Sequence, residues 1–138
     1  MQKQIFIDTG FVVALVDERD QYHQQALELS YMLETAYLIT TDAILLEIGN
    51  RLSRPQHRQG AIQIIEAFIE AENVEIVEFT PELFNEAFKI YKKYKDKKWG
   101  LVDCISFTVM WDRGILDVLA FDKKDFEQAG FIVLTNII

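Results

Sequence analysis

Cysteine occurs once in the 138 residues, as Cys104, and histidine only as His23 and His57. A lone thiol forms no intrachain disulfide, fits a reducing compartment and, in an apolar run, reads as a core side chain. A nucleophilic role would need a base beside it, and both histidines fall in polar, helix-like stretches far away in the chain. The same scarcity leaves no Cys/His pattern that would recruit zinc. Also missing is any apolar run near the ~20 residues that span a bilayer, and the N-terminus has neither the basic flank nor the small-residue cleavage pattern of a signal peptide. No membrane role and a cytoplasmic location are therefore expected.

Positive charge is short as well. Fourteen Lys and Arg against 22 Asp and Glu give a formal charge of −8, which excludes a surface that attracts nucleic acid everywhere. Two local exceptions stand out: Arg51, Arg54 and Arg58 at helical spacing, and Lys92, Lys93, Lys95, Lys97 and Lys98 interleaved with Tyr91, Tyr94 and Trp99. Each is either a solvated, charged surface or a phosphate-binding patch. Repeats, low-complexity tracts and linkers are absent, and a half-hydrophobic chain of this length suits one domain with a real core, residues 1–138.

What is present is an alternation of short apolar runs with amphipathic stretches. Ile5 to Ile7, Tyr37 to Ile39, Val74 to Val77, Val118 to Phe121 and Ile132 to Leu134 predict strands, and their unbroken apolar character suits a parallel sheet covered on both faces. Between them, Ala61, Ile64, Ile65, Phe68 and Ile69 trace one helical stripe, and Leu83, Ala87, Ile90, Tyr91 and Tyr94 another. The expected fold is α/β, a three-layer α/β/α arrangement around a short, mainly parallel sheet. Asp42 can cap a helix beginning at Ala43, Thr80-Pro81-Glu82 supplies a cap and a first-turn proline, Gly100 precedes a helix from Leu101 to Trp111, and Pro55 and Gly114 punctuate helix ends.

Four acids occupy positions where strands end or apolar helices begin. Asp8 follows Ile5-Phe6-Ile7, and Asp122 closes the Val118 to Phe121 run; ligand sites in open parallel sheets lie beyond the carboxyl ends of strands. Asp103 projects from a helix that is apolar on nearly every face, where an unpaired carboxylate is costly, although a first-turn acid interacting with the helix N-terminus is an equally good account. Glu47 lies beside Asn50, Arg51 and Arg54 on a polar face and, alone, is an ordinary solvated residue. Asp125 is a second acid at the Asp122 corner or a helix cap ahead of Phe126.

Taken in order, Asp8-Thr9-Gly10, the Glu47 helix with Asn50, the block Trp99-Gly100-Leu101-Val102-Asp103-Cys104 and Ala120-Phe121-Asp122 resemble the PIN-domain ribonucleases, nearest the VapC-type toxins of toxin–antitoxin pairs. The resemblance spans nearly the whole chain. It implies a metal-dependent endoribonuclease whose metal-site and catalytic acids are Asp8, Glu47, Asp103 and Asp122, with Thr9 supporting Asp8 and Asn50 at the rim. It also implies Mg²⁺ or Mn²⁺ as cofactor, an RNA substrate, a small antitoxin protein as partner and a homodimer. Arg51, Arg54, Lys95, Lys97 and Lys98 are the candidates for holding RNA, with Tyr94 or Trp99 stacking on an unpaired base.

Two departures from the family pattern are visible. Gly10 stands where many relatives carry Ser, and Asp122-Lys123-Lys124-Asp125-Phe126 is one residue longer than the usual spacing from acid to phenylalanine, so Asp122 is favoured over Asp125 as the fourth acid because it ends the strand run. The alternatives are a catalytically silent PIN-like interaction module and, more remotely, a phosphatase of the haloacid-dehalogenase kind. The latter wants an aspartate two positions after the first, where Gly10 sits.

Overall fold

The structure is a computed structural model that describes residues 2–135; residue 1 and residues 136–138 of the expected 1–138 domain lie outside the described residues. Five parallel strands, β1 (Gln4–Ile7), β2 (Tyr37–Thr41), β3 (Val74–Val77), β4 (Asp117–Leu119) and β5 (Ile132–Val133), form one sheet in the order β3-β2-β1-β4-β5. Pairing is in register, with Ile5 opposite Leu38 on one side and Asp117 on the other. Ile5, Phe6, Ile7, Leu38 and Ile39 are all fully buried, because a central parallel strand is covered on both faces and so reads as a continuous apolar run.

Parallel neighbours need crossovers, and these are right-handed. Three helices, α1 (Thr9–Val16), α2 (His23–Leu29) and α3 (Met32–Thr35), lead from β1 to β2, and α4 (Asp42–Arg51) and α5 (Pro55–Glu70) lead from β2 to β3. After β3 the chain returns past β1 through α6 (Pro81–Lys93) and α7 (Leu101–Arg113), and α8 (Lys123–Gln128) joins β4 to β5. Because the direction of travel along the sheet reverses at β1, the two helix groups cover opposite faces. α7 anchors the second layer: Phe107 meets Phe126 of α8 edge-on at 5.1 Å between centroids and Trp99 at 4.9 Å.

The helix boundaries follow local chemistry, with three corrections. Thr41, not Asp42, caps α4, its hydroxyl accepting the Ile44 amide at 3.2 Å, while Asp42 is helical and accepts the Phe79 amide at 2.9 Å. The strand expected to reach Phe121 stops at Leu119, and the strand expected to reach Leu134 stops at Val133. Otherwise the signals hold: Thr80 accepts the Leu83 amide at 3.1 Å, Pro55 opens α5, and Gly114 ends α7 at φ +66°, a left-handed conformation that glycine adopts without a Cβ clash.

Gly60 lies inside α5, where a Cβ would sit 2.6 Å from Val16 Cγ1 of α1. Alanine would gain about 1 kcal/mol of helix propensity, but overpacking against a stiff β-branched neighbour costs about 1–3 kcal/mol. Gly60→Ala is therefore expected to lower the midpoint of thermal unfolding. A midpoint that stays or rises would show that the α1–α5 contact yields freely.

Candidate active site

The order in which strands are added to the sheet reverses between β1 and β4, and this switch point is where open parallel sheets place their ligands. The Asp8 amide donates to the Leu119 carbonyl at 3.1 Å, tying the two strand ends together. Asp8 itself is the residue before α1, 8 % exposed. Asp122 is not at the end of β4, as its sequence setting suggests; it lies after Ala120 and Phe121, as the residue preceding α8, with no capping hydrogen bond from its side chain. Asp103 sits in the first turn of α7 and Asp125 in the first turn of α8.

These elements converge. Carboxylate oxygens of Asp103, Asp122 and Asp125 lie within 4.8 Å of one another. Asp8 feels the charges of Asp103, Glu47 and Asp122, and Asp103 those of Asp122 and Glu47. Five acids thus share one electrostatic site, and among the described residues none of them is in an ion pair with Lys, Arg or His. Asp122 and Asp125, alternatives in sequence, are neighbours in space.

Burial, then the charge of Asp103, push the Asp8 carboxyl up to about 7, with the Thr9 amide pulling the other way. Burial likewise raises Asp103 to about 6, partly offset because its Oδ2 accepts the Gly100 amide at 2.9 Å. Both accounts of Asp103 therefore hold together: it caps α7 and faces the acidic site. Burial raises Asp125 to about 6, helped by its hydrogen bond with Asp122. The Thr9 hydroxyl donates to Glu47 Oε1 at 2.5 Å, so Thr9 supports Asp8 through its amide and Glu47 through its side chain. That contact ties an apparently solvated glutamate to the acidic cluster, and nothing in the local sequence displays it.

The remaining candidates divide. Asn50 and Arg51 are exposed on α4 beyond Glu47. Arg54 precedes α5 and lines a separate cleft with Asp17, Arg19 and His57, where none of the five acids lies. Lys95, Lys97 and Lys98 line another cleft together with Gly100, whose amide binds Asp103. Trp99 is buried against Phe107 and donates its Nε1 to Gln128 at 3.3 Å, which leaves Tyr94 the more accessible ring. Cys104 is fully buried and its thiol is pushed up to about 11 by burial and by Asp103, as a core thiol should be. No helix among the described residues is long and apolar enough to cross a membrane.

An all-oxygen donor set with proton affinities raised by burial and, secondarily, by mutual repulsion suits a hard divalent cation. The acids present fit such an ion: oxygens of Asp103, Asp122 and Asp125 converge, none of the five acids has a basic partner among the described residues, and Asp8, Asp103 and Asp125 ionise reluctantly without added positive charge.

Comparison with known proteins agrees with this geometry. A family model described as the PIN domain matches residues 5–132. The 23S rRNA-specific endonuclease VapC20 of Mycobacterium tuberculosis is 32% identical over 129 residues, covering 93% of this chain and 95% of the relative. The crystal structure of M. tuberculosis VapC20, a toxin that cleaves the sarcin–ricin loop, superposes with a TM-score of 0.85 at 28% identity over 96% of this chain and 99% of that one. VapBC2 of Rickettsia felis, bound to a promoter DNA fragment, shares the fold at a TM-score of 0.65 and 13% identity, over 95% of this chain and 97% of that one.

The raised carboxyls also make a stability prediction. A carboxyl that ionises less readily when folded favours folding while protonated, fully so below its unfolded value, and that contribution is lost as pH rises through the folded value. For Asp8 the window runs from 3.8 to about 7, and for Asp103 from 3.8 to about 6. Stability of the chelator-treated chain relative to Asp8→Asn should therefore fall across this range, leaving the variant the more stable at about pH 8. Thermal melts of both proteins against pH provide the check; parallel curves would contradict it.

Proposed function

This chain belongs to the PIN-domain family, and from that premise we propose that it is a metal-dependent endoribonuclease, a single domain acting as the toxin of a toxin–antitoxin pair. The observation that carries the reading is the convergence, at the β1/β4 switch point, of Asp8, Glu47, Asp103, Asp122 and Asp125 without basic partners. Its kinship with an rRNA-specific endonuclease over 93% of its length supports RNA as the polymer cut.

Asp8 and Asp103, with Asp122 or Asp125, would hold Mg²⁺ or Mn²⁺. Such an ion, when bound, polarises a phosphodiester oxygen and lowers the pKa of an attacking water. The chain's own residues do the rest. Asp8 and Asp103 surrender protons when a cation arrives, so occupancy rises with pH. Glu47, fixed through one oxygen by Thr9, has its second oxygen without a hydrogen-bond donor among the described residues and would orient or deprotonate a water. Asn50 and Arg51, exposed on the same helix, form one rim, and Lys95, Lys97 and Lys98 the other. These cations offset the repulsion that an acidic site exerts on a polyanion.

We place the protein in the cytosol with its substrate, neutralised there by a small antitoxin protein. A homodimer belongs to the same reading: Phe79, just before α6, meets Phe84 edge-on, and Phe84 stacks on Phe88 along the helix, an exposed aromatic row of the kind that marks protein contacts.

Asp8→Asn and Asp103→Asn should each reduce Mg²⁺- or Mn²⁺-dependent RNA cleavage to below about one-hundredth of wild type, beyond what losing a supporting residue costs, with unchanged circular dichroism. Gel assays on a structured RNA test this. Undiminished cleavage by both folded variants would overturn the assignment.

A further inference from the structure

A cleft of about 460 Å³ opens between the C-terminal end of α6 and the segment leading into α7. We propose that it seats one unpaired nucleobase of the RNA, next to the bond that is cut, so that the enzyme selects a flexible, single-stranded nucleotide rather than a paired one. This deepens the ribonuclease reading and rests on it.

Size and chemistry support a nucleotide. The volume lies within the roughly 300–1,000 Å³ of small-ligand sites. Tyr91 and Tyr94 line its wall, and Tyr91 is 46% exposed. Tyr94 leans on Trp99 at 5.0 Å between centroids, and Trp99 is itself fixed by Phe107 and Gln128. The stacking surface is therefore held in place before a base arrives, which limits the ordering cost of binding. Cys104, at the inner end, adds an apolar and protonated thiol rather than a reactive one.

Charge and position make the case for RNA in particular. In a chain of net charge −8, Lys95, Lys97 and Lys98 all line this cleft. Lys97 pairs with the exposed Asp96 at 3.1 Å, whereas Lys95 and Lys98 have no ion-pair partner among the described residues. Aromatic faces flanked by lysines are the general solution for single-stranded nucleic acid, rings for bases and ammonium groups for phosphates. Gly100 belongs both to this cleft and to the acidic site: its amide binds Asp103 Oδ2, and a Cβ there would lie 3.6 Å from the same oxygen. A base held here leaves its own phosphate facing the carboxylates. An acidic peptide would use the lysines but has no need of the rings.

The test is binding of the intact chain, by fluorescence anisotropy in EDTA, to an RNA stem-loop, to the same stem-loop with abasic loop nucleotides, and to a fully paired duplex. Wild type should prefer the intact loop by about ten-fold. Tyr91→Ala, at an exposed position, and Tyr94→Leu, which keeps apolar packing on Trp99, should each lose that preference while binding duplex as before. Replacing Lys95, Lys97 and Lys98 by Gln should weaken all three complexes and reduce the slope of log affinity against log salt by about 2. Tyrosine variants that keep the loop preference, or that weaken all three RNAs equally, would overturn the proposal. So would an oligoglutamate peptide displacing RNA from a wild type that shows no loop preference. Cleavage of the intact stem-loop by wild type with Mn²⁺, measured in parallel, reports on the ribonuclease reading, and loop preference on the cleft.

Discussion

Carboxylates repel one another, and the active end of this molecule is organised around holding several of them close. At an effective dielectric of 20, two unit charges ~4 Å apart oppose each other by about 4 kcal/mol, and here oxygens of three acids fall within 4.8 Å with two more in electrostatic reach. The fold enforces this through elements that stability fixes independently. Buried β1 carries Asp8, the apolar helix α7 carries Asp103, and the turn after β4 delivers Asp122 and Asp125. Backbone amides of Thr9 and Gly100 ease the repulsion at two of these acids, and protons on Asp8 and Asp103, whose carboxyls are raised to about 7 and about 6, ease it further. Such crowding costs stability, as is general for active sites.

On the proposed ribonuclease reading an acidic centre must still accept a polyanion, and the molecule divides the work by position. Positive charge is sparse overall but collected beside the centre, where the segment between α6 and α7 turns into the first turn of α7. Gly100 is the hinge of that division, its amide turned to Asp103 while the residue borders the lysine-lined cleft.

The sheet was legible in the sequence because central parallel strands are buried on both faces and leave unbroken apolar runs, as at Ile5 to Ile7. Asp8 stood out because it breaks such a run, and Asp103 because an apolar helix has few reasons to carry a charge. Features created by tertiary contact were not legible. Glu47 looks solvated until Thr9 is folded against it. Asp122 seemed to end a strand because Ala120 and Phe121 are apolar, yet no strand pairing extends past Leu119. The helices α2 and α3, of seven and four residues, are too short to display a helical period in the sequence. Trp99 offered a stacking ring in sequence and proved to be core, and Arg54, on the Glu47 face in a sequence reading, lies beyond the end of α4 and lines a different cleft.

The most direct measurement is anomalous diffraction from crystals grown with Mn²⁺. The account predicts manganese bound at the β1/β4 switch point, shared by oxygens of Asp8, Asp103 and Asp122 or Asp125. Carboxylates left metal-free at high Mn²⁺, or each met by a lysine or arginine instead, would contradict it.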